Sequence, residues 1–190
     1  MAENYAVYRD PAGDYDGRVN QEQDVGEHRP EPKRKNGNGH HAEYGKGKTE
    51  VYIPNDPPLR LWMEAAVYEG DRPTNCIIDA DTGWSVRVHW HLEGALKNFI
   101  CGYWCLHLHL ESMGHGPEFS IPAPEENIPL NACDDNYWYE IKVPPGKIEP
   151  AHCSSPYKLV VSLTYKDACY KKGPMAGFVE LPLIQFYQTD

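Results

Sequence analysis

Proline and glycine divide most of this chain into short runs, and this spacing limits what the chain can fold into. The 190 residues include 17 prolines and 16 glycines, which interrupt every window long enough for an ordinary helix. Between the interruptions, apolar and polar residues alternate with a period of two, which is typical of half-buried β-strands. We therefore predict an all-β fold, an antiparallel β-sandwich of roughly seven to nine strands, immunoglobulin-like or jelly-roll-like.

The candidate strands are separated by turn-forming residues, and the last of them contains a proline. Pro182 cannot donate a hydrogen bond to a neighbouring strand, so it predicts either an edge position or a β-bulge. The predicted strands are Glu50–Ile53, Leu59–Glu69, Cys76–Ile78, Trp84–Glu93, Tyr103–Ser112, Phe119–Ile121, Tyr137–Val143, Tyr157–Tyr165 and Phe178–Tyr187.

The composition changes near residue 49. Residues 1–48 are dominated by glycine, asparagine, proline and charged side chains, which predicts a disordered tail and linker. Residues 49–190 are predicted to form the β-sandwich domain. Within the tail, Tyr5, Tyr8 and Tyr15 lie in a segment, 5–15, that is either a docking motif for a partner or a stretch that packs back on its own domain.

The charge is strongly acidic and lies mostly in the predicted domain. The chain carries 18 Lys and Arg against 28 Asp and Glu, a formal charge of −10. Such a surface repels phosphate groups, which argues against nucleic acid and anionic lipid and favours basic protein partners or divalent cations. The edge strands and aromatic side chains suit association with a protein partner or self-association. No run is long and apolar enough for a membrane span, so membrane insertion is not predicted. No cationic segment followed by an apolar stretch, the pattern of a signal peptide, is visible, so we predict a cytoplasmic location.

Two segments with a His-x-His-x-Glu pattern carry the sharpest chemistry of the sequence. In strands, the alternation places the histidines and glutamates of each segment on one face, with the aliphatic and tryptophan side chains on the other. If the two segments pair as an antiparallel hairpin, four imidazoles and two carboxylates share a single sheet face, which could bind zinc. The candidate metal ligands are His89, His91, Glu93, His107, His109 and Glu111. The alternative is a solvated or interface surface.

Trp62 and Trp138 point away from the apolar faces of their predicted strands. Planar aromatic side chains on a sheet surface anchor protein interfaces or stack on sugar rings. No nucleophile elbow, phosphate-binding loop or dinucleotide glycine pattern is present, so no catalytic residue and no cofactor are predicted. We favour a non-enzymatic protein-binding or structural domain, or a subunit of a larger assembly. The alternatives are a zinc-binding protein or metal-dependent enzyme, and a carbohydrate-binding module.

Overall fold

The protein folds into two facing β-sheets, as the sequence predicts. The structure is a computed structural model and describes residues 44–52, 59–74, 76–125, 127–149 and 156–188. In these residues the helical structure is one short 3-10 segment, Ala95–Phe99. No helix in the described part of the chain has the length and apolar character needed to cross a bilayer. The predicted disordered tail lies almost entirely outside the described residues.

The twelve described strands are numbered in chain order. They are β1 Gly45–Lys46, β2 Lys48–Val51, β3 Arg60–Glu69, β4 Arg72–Pro73, β5 Ile77–Asp79, β6 Trp84–Glu93, β7 Gly102–Ser112, β8 Phe119–Pro122, β9 Ile128–Leu130, β10 Asn136–Val143, β11 Tyr157–Asp167 and β12 Lys172–Tyr187. The first sheet has the order β1-β3-β6-β10, with β4 paired to β3. The second sheet has the order β2-β12-β11-β7-β8, with β5 paired to β12 and β9 paired to β7.

All the predicted strands are present, with ends that differ by a few residues. The strands that the sequence did not predict are β1, β4 and β9, which have two or three residues each. Segments this short carry too few residues to show an alternating pattern. The first strand begins at Gly45, before the predicted domain start at Thr49.

The bulge predicted at Pro182 is confirmed. Lys158 pairs with Leu183 and Val160 pairs with Glu180, so Leu181 and Pro182 together oppose a single residue of β11. A bulge leaves the extra residue out of the hydrogen-bonding ladder, which is where a residue without an N–H is tolerated. It also explains how Leu181 and Ile184 are both buried in spite of their odd spacing.

The predicted pairing of the two histidine strands is wrong. β6 belongs to the first sheet and pairs with β3 and β10, whereas β7 belongs to the second sheet and pairs with β11, β8 and β9. The 3-10 segment between them carries the chain from one sheet to the other instead of forming a hairpin turn. Either arrangement can bury the apolar faces of both strands. In this structure each face packs against the opposite sheet, and Trp90 of β6 meets Trp104 of β7 across the core.

The core lies between the two sheets and includes a cluster of large aromatic side chains. Trp90 of the first sheet and Trp104 of the second are both fully buried, with ring centroids 6.3 Å apart. Tyr137 stacks on Trp90 at 5.3 Å, and Tyr165 packs edge-on to Trp104 at 5.8 Å. Aromatic contacts of this kind add roughly 0.5–1.5 kcal/mol per pair beyond the area they bury. They hold β6 and β7 together across the sandwich.

The turn that starts β7 leads to a stability prediction. Gly102 has φ 151°, and a Cβ there would lie 2.1 Å from the backbone oxygen of Lys166. Gly83 can serve as the control, because a Cβ there would meet nothing closer than 3.6 Å. We expect Gly102→Ala to lower the free energy of unfolding by about 2 kcal/mol or more and Gly83→Ala to change it by less than about 0.5 kcal/mol. Urea unfolding measures both, and equal effects would contradict the placement of β7.

Candidate functional site

The four histidines that the sequence placed together lie on opposite outer surfaces of the sandwich. His89, His91 and Glu93 alternate with buried residues of β6, and their side chains lie on the outer face of the first sheet. His107 and His109 occupy the same position on the outer face of the second sheet. Glu111, also on β7, is exposed there. The predicted four-histidine face is therefore wrong, and the described residues contain no group of three or more His, Cys, Asp or Glu side chains placed to bind a metal ion.

The outer face of the first sheet brings the two predicted surface tryptophans together around one histidine. The strand register places Glu64 of β3 and Trp138 of β10 on either side of His89, and places Trp62 opposite the next outward residue of β6, His91. We call the group Trp62, Glu64, His89, Asn136 and Trp138 the Trp–His face. Alternation in three separate strands turns these side chains outward, and the strand register brings them together.

Aromatic contacts fix the geometry of the Trp–His face. The indole of Trp138 stacks on the imidazole of His89, with ring centroids 3.8 Å apart and planes 3° from parallel. Trp62 meets the same imidazole edge-on at 5.2 Å. Trp62 remains 40% exposed, and Trp138 is half-buried although β10 is the outermost strand of its sheet. The result is a broad aromatic surface that is already ordered by its own contacts.

Polar groups hold the imidazole in place. His89 Nδ1 lies 3.4 Å from Glu64 Oε1 and Nε2 lies 3.2 Å from Asn136 Oδ1. The Asn136 amide also lies 3.0 Å from His91 Nδ1, so it bridges the two imidazoles. Both nitrogens of His89 have partners within the protein, which leaves no free nitrogen for a metal.

A second polar cluster continues the same face toward the opposite end of the strands. The guanidinium of Arg87 lies 4.1 Å above the ring of Tyr68 and donates to Glu140 Oε1 from Nε at 3.1 Å. Ser85 donates to the same oxygen at 2.8 Å. Burial alone would raise the pKa of Glu140, but the hydrogen bonds from Ser85 and Arg87 outweigh burial and lower that pKa. Burial and a hydrogen bond to Tyr68 raise the pKa of Tyr44 at the edge of this cluster.

The charge of this surface differs from that of the whole chain. The strands β3, β6 and β10 direct Glu64, Glu93 and Glu140 outward, and they also direct Arg60, Arg87 and Lys142 outward. These charges balance, whereas the chain carries −10. With balanced charges, this face does not add a net charge that would repel a partner of either sign.

The outer face of the second sheet has a different character. His109 Nε2 lies 3.0 Å from Ser162 Oγ and Nδ1 lies 3.3 Å from Ser120 Oγ. The strand β12 adds the exposed apolar side chains Phe178 and Leu183. The rings of His107 and His109 stack on each other at 6.0 Å, so the ring contact on this surface joins two imidazoles, whereas on the first sheet an imidazole meets two indoles.

The sequence identified some of the residues in the Trp–His face but not the arrangement. The sequence predicts Trp62, Trp138 and His89 as site residues, but not Glu64 or Asn136. Alternation in β3 and β10 places both of these on the same outward face as the tryptophans, and only the strand register reveals that they meet His89. Tyr5, Tyr8 and Tyr15, the predicted partner-binding tyrosines, lie outside the described residues.

Comparison with known proteins identifies no family. No family model and no curated protein matches the chain. Among solved structures, the crystal structure of chicken MD-1 complexed with lipid IVa is similar over 71% of this chain and 97% of that chain, with 14% sequence identity and a TM-score of 0.26. A TM-score this low carries no argument about function. The fold class therefore comes from the strands themselves, which form a two-sheet antiparallel β-sandwich.

The buried hydrogen bonds of Glu140 lead to a pH-dependent prediction. A carboxyl group whose pKa is lowered on folding stabilises the protein fully only above its unfolded value, about 4.3, and this stabilisation is lost as the pH falls through the folded value. We expect Glu140→Gln to destabilise the protein by about 1–2 kcal/mol at neutral pH, and by progressively less below pH ~4. Urea unfolding between neutral and acidic pH measures this difference. The exposed Glu118→Gln should show little effect at any pH, and a loss for Glu140→Gln that is independent of pH would contradict the network.

Proposed function

We propose that this chain is a non-enzymatic protein-binding domain and that the Trp–His face is its contact surface for a partner. In this proposal the chain acts as a subunit of a larger assembly. The observation that carries the proposal is the stack of Trp138 on His89, with Trp62 against the same ring, on an outer sheet face. Large aromatic side chains that are ordered before binding lose little conformational entropy on association, which makes tryptophan a frequent energetic centre of interfaces. The cytoplasmic location predicted from the sequence is part of this proposal.

The chemistry of the face favours a protein partner over the alternatives. A metal-dependent role would need His89 as a ligand, but both of its nitrogens already contact Glu64 and Asn136. A sugar would stack on an open indole, whereas His89 already covers one ring face of Trp138. A mixed surface of aromatic, amide and balanced charged groups is the composition of protein interfaces.

The proposal is tested by affinity capture with the full chain as bait and quantitative mass spectrometry of the proteins retained. The informative variant is Trp62→Ala with Trp138→Ala. The matched control removes the same number of exposed apolar side chains from the other sheet, with Phe178→Ala and Leu183→Ala. Thermal melting of each variant confirms that it is folded.

We expect the tryptophan variant to retain its partners about tenfold less than the unmodified chain, since a truncated tryptophan at an interface centre costs more than about 1 kcal/mol. The control variant should retain them unchanged. Equal capture by all three proteins, or loss of capture in the control variant alone, would contradict the proposed surface.

A further inference from the structure

The strand β10 forms an open sheet edge of a kind that folded proteins usually protect. It pairs over eight residues with β6 and, among the described residues, with no strand on its other side. The register is continuous, without a bulge, and the strand contains no proline. The other outermost strands have four residues or fewer, and β8 and β9 also contain a proline. Short strands, bulges and prolines are the usual means of blocking further strand pairing.

The hydrogen-bonding parity of β10 shows which backbone groups face the open side. Leu92 N donates to Asp135 O at 2.9 Å, so the pair of residues 92 and 135 is a hydrogen-bonded pair of the ladder. Such pairs alternate along antiparallel strands. The N–H and C=O groups of Tyr137, Tyr139 and Ile141 consequently face β6. The N–H and C=O groups of the alternate residues point to the open edge, and the side chains of these residues lie on the outer face. The residues are Asn136, Trp138, Glu140 and Lys142.

We infer that this edge pairs with the same edge of a second copy of the chain, in an antiparallel two-fold dimer centred on Trp138. The two first sheets then form one continuous sheet. The inference shares Trp138 with the proposed function but rests on separate observations, the open backbone groups of β10, and it does not require the Trp–His face to bind another protein. A second copy is favoured by charge complementarity at this edge, since two-fold pairing brings Lys142 of each copy to Asp134 of the other.

Side-chain pairing favours one of the registers that the parity allows. Centring the two-fold axis on Tyr139 brings no opposite charges together. Centring the two-fold axis on Glu140 places two glutamates directly opposite each other, and centring it on Tyr137 places Glu140 opposite Asp134 of the second copy. Like charges in this position are destabilising. Centring it on Trp138 pairs the two indoles, places Glu140 opposite Asn136 and brings Lys142 alongside Asp134 of the second copy. Opposite charges and aromatic pairs in these positions each contribute about 0.2–1 kcal/mol.

The test is a charge exchange in the full chain, read out by sedimentation equilibrium over micromolar to millimolar concentrations. By symmetry, Lys142→Glu replaces two attractive pairs with two repulsive ones, and so does Asp134→Lys. The double variant restores both pairs with reversed sign. Lys147→Glu makes the same change in net charge at an exposed site outside the proposed contact, and serves as the control.

We expect the unmodified chain and Lys147→Glu to dimerise with similar dissociation constants. Each single variant should weaken the dimer about tenfold or more, and the double variant should recover to within about threefold of the unmodified chain. Amide hydrogen exchange shows which N–H groups of β10 face the open edge. The amides of Asn136, Trp138 and Glu140 should become protected as the concentration rises, whereas those of Tyr137 and Tyr139 should be protected at every concentration.

A monomer at millimolar concentration would overturn the inference. Failure of the double variant to recover, or equal weakening by Lys147→Glu, would overturn the proposed register. Val7→Pro tests whether the N-terminal segment, instead of a second β10, occupies the edge. If Val7→Pro abolishes association while Lys142→Glu and Asp134→Lys have no effect, the inference is also overturned. Loss of other partners in Trp62→Ala, with the dimer intact, would support the proposed function separately.

Discussion

The packing of the apolar face of β6 against the apolar face of β7 determines the rest of this structure. Val88, Trp90 and Leu92 of β6 and Leu106, Leu108 and Leu110 of β7 are all buried in the core between the sheets. Trp90 meets Trp104 of β7 there, with ring centroids 6.3 Å apart. Burying a large apolar side chain contributes about 1.5–3 kcal/mol, so keeping these faces together outweighs any arrangement that exposes one of them. Once the apolar faces turn inward, alternation turns the histidines outward on two different surfaces.

The inward packing of β6 and β7 separates the histidines of the two strands, which the sequence alone predicts to lie side by side. On the first sheet the imidazole of His89 lies between two tryptophans and is held by Glu64 and Asn136. On the second sheet His109 contacts two serine hydroxyls. The first arrangement resembles a prepared contact surface. The strand β10, which supplies Trp138 and Asn136 to this arrangement, also directs unpaired backbone groups away from β6, so both features lie along one edge of the first sheet.

The sequence was sufficient for the fold class and for most strands, because alternation and turn residues are local signals. It also predicted the bulge at Pro182, since a missing N–H has the same consequence in any sheet. It was misleading about β6 and β7, because two similar strands separated by a short glycine-containing segment read equally well as a hairpin or as a crossover between sheets. The distinction depends on which layer covers each apolar face, which is a tertiary property. The Trp–His face was out of reach for the same reason, since its members come from three strands whose order the local pattern does not encode.

The surroundings of His89 test this account most directly. Nuclear Overhauser effects between the imidazole protons of His89 and the indole protons of Trp138 and Trp62 should be strong, because the ring centroids lie 3.8 and 5.2 Å away. No such effect should connect His89 with His107, which lies on the far surface of the other sheet. Cross-peaks between His89 and His107, without those to the tryptophans, would show that β6 and β7 pair in one sheet and would contradict both the fold and the proposed contact surface.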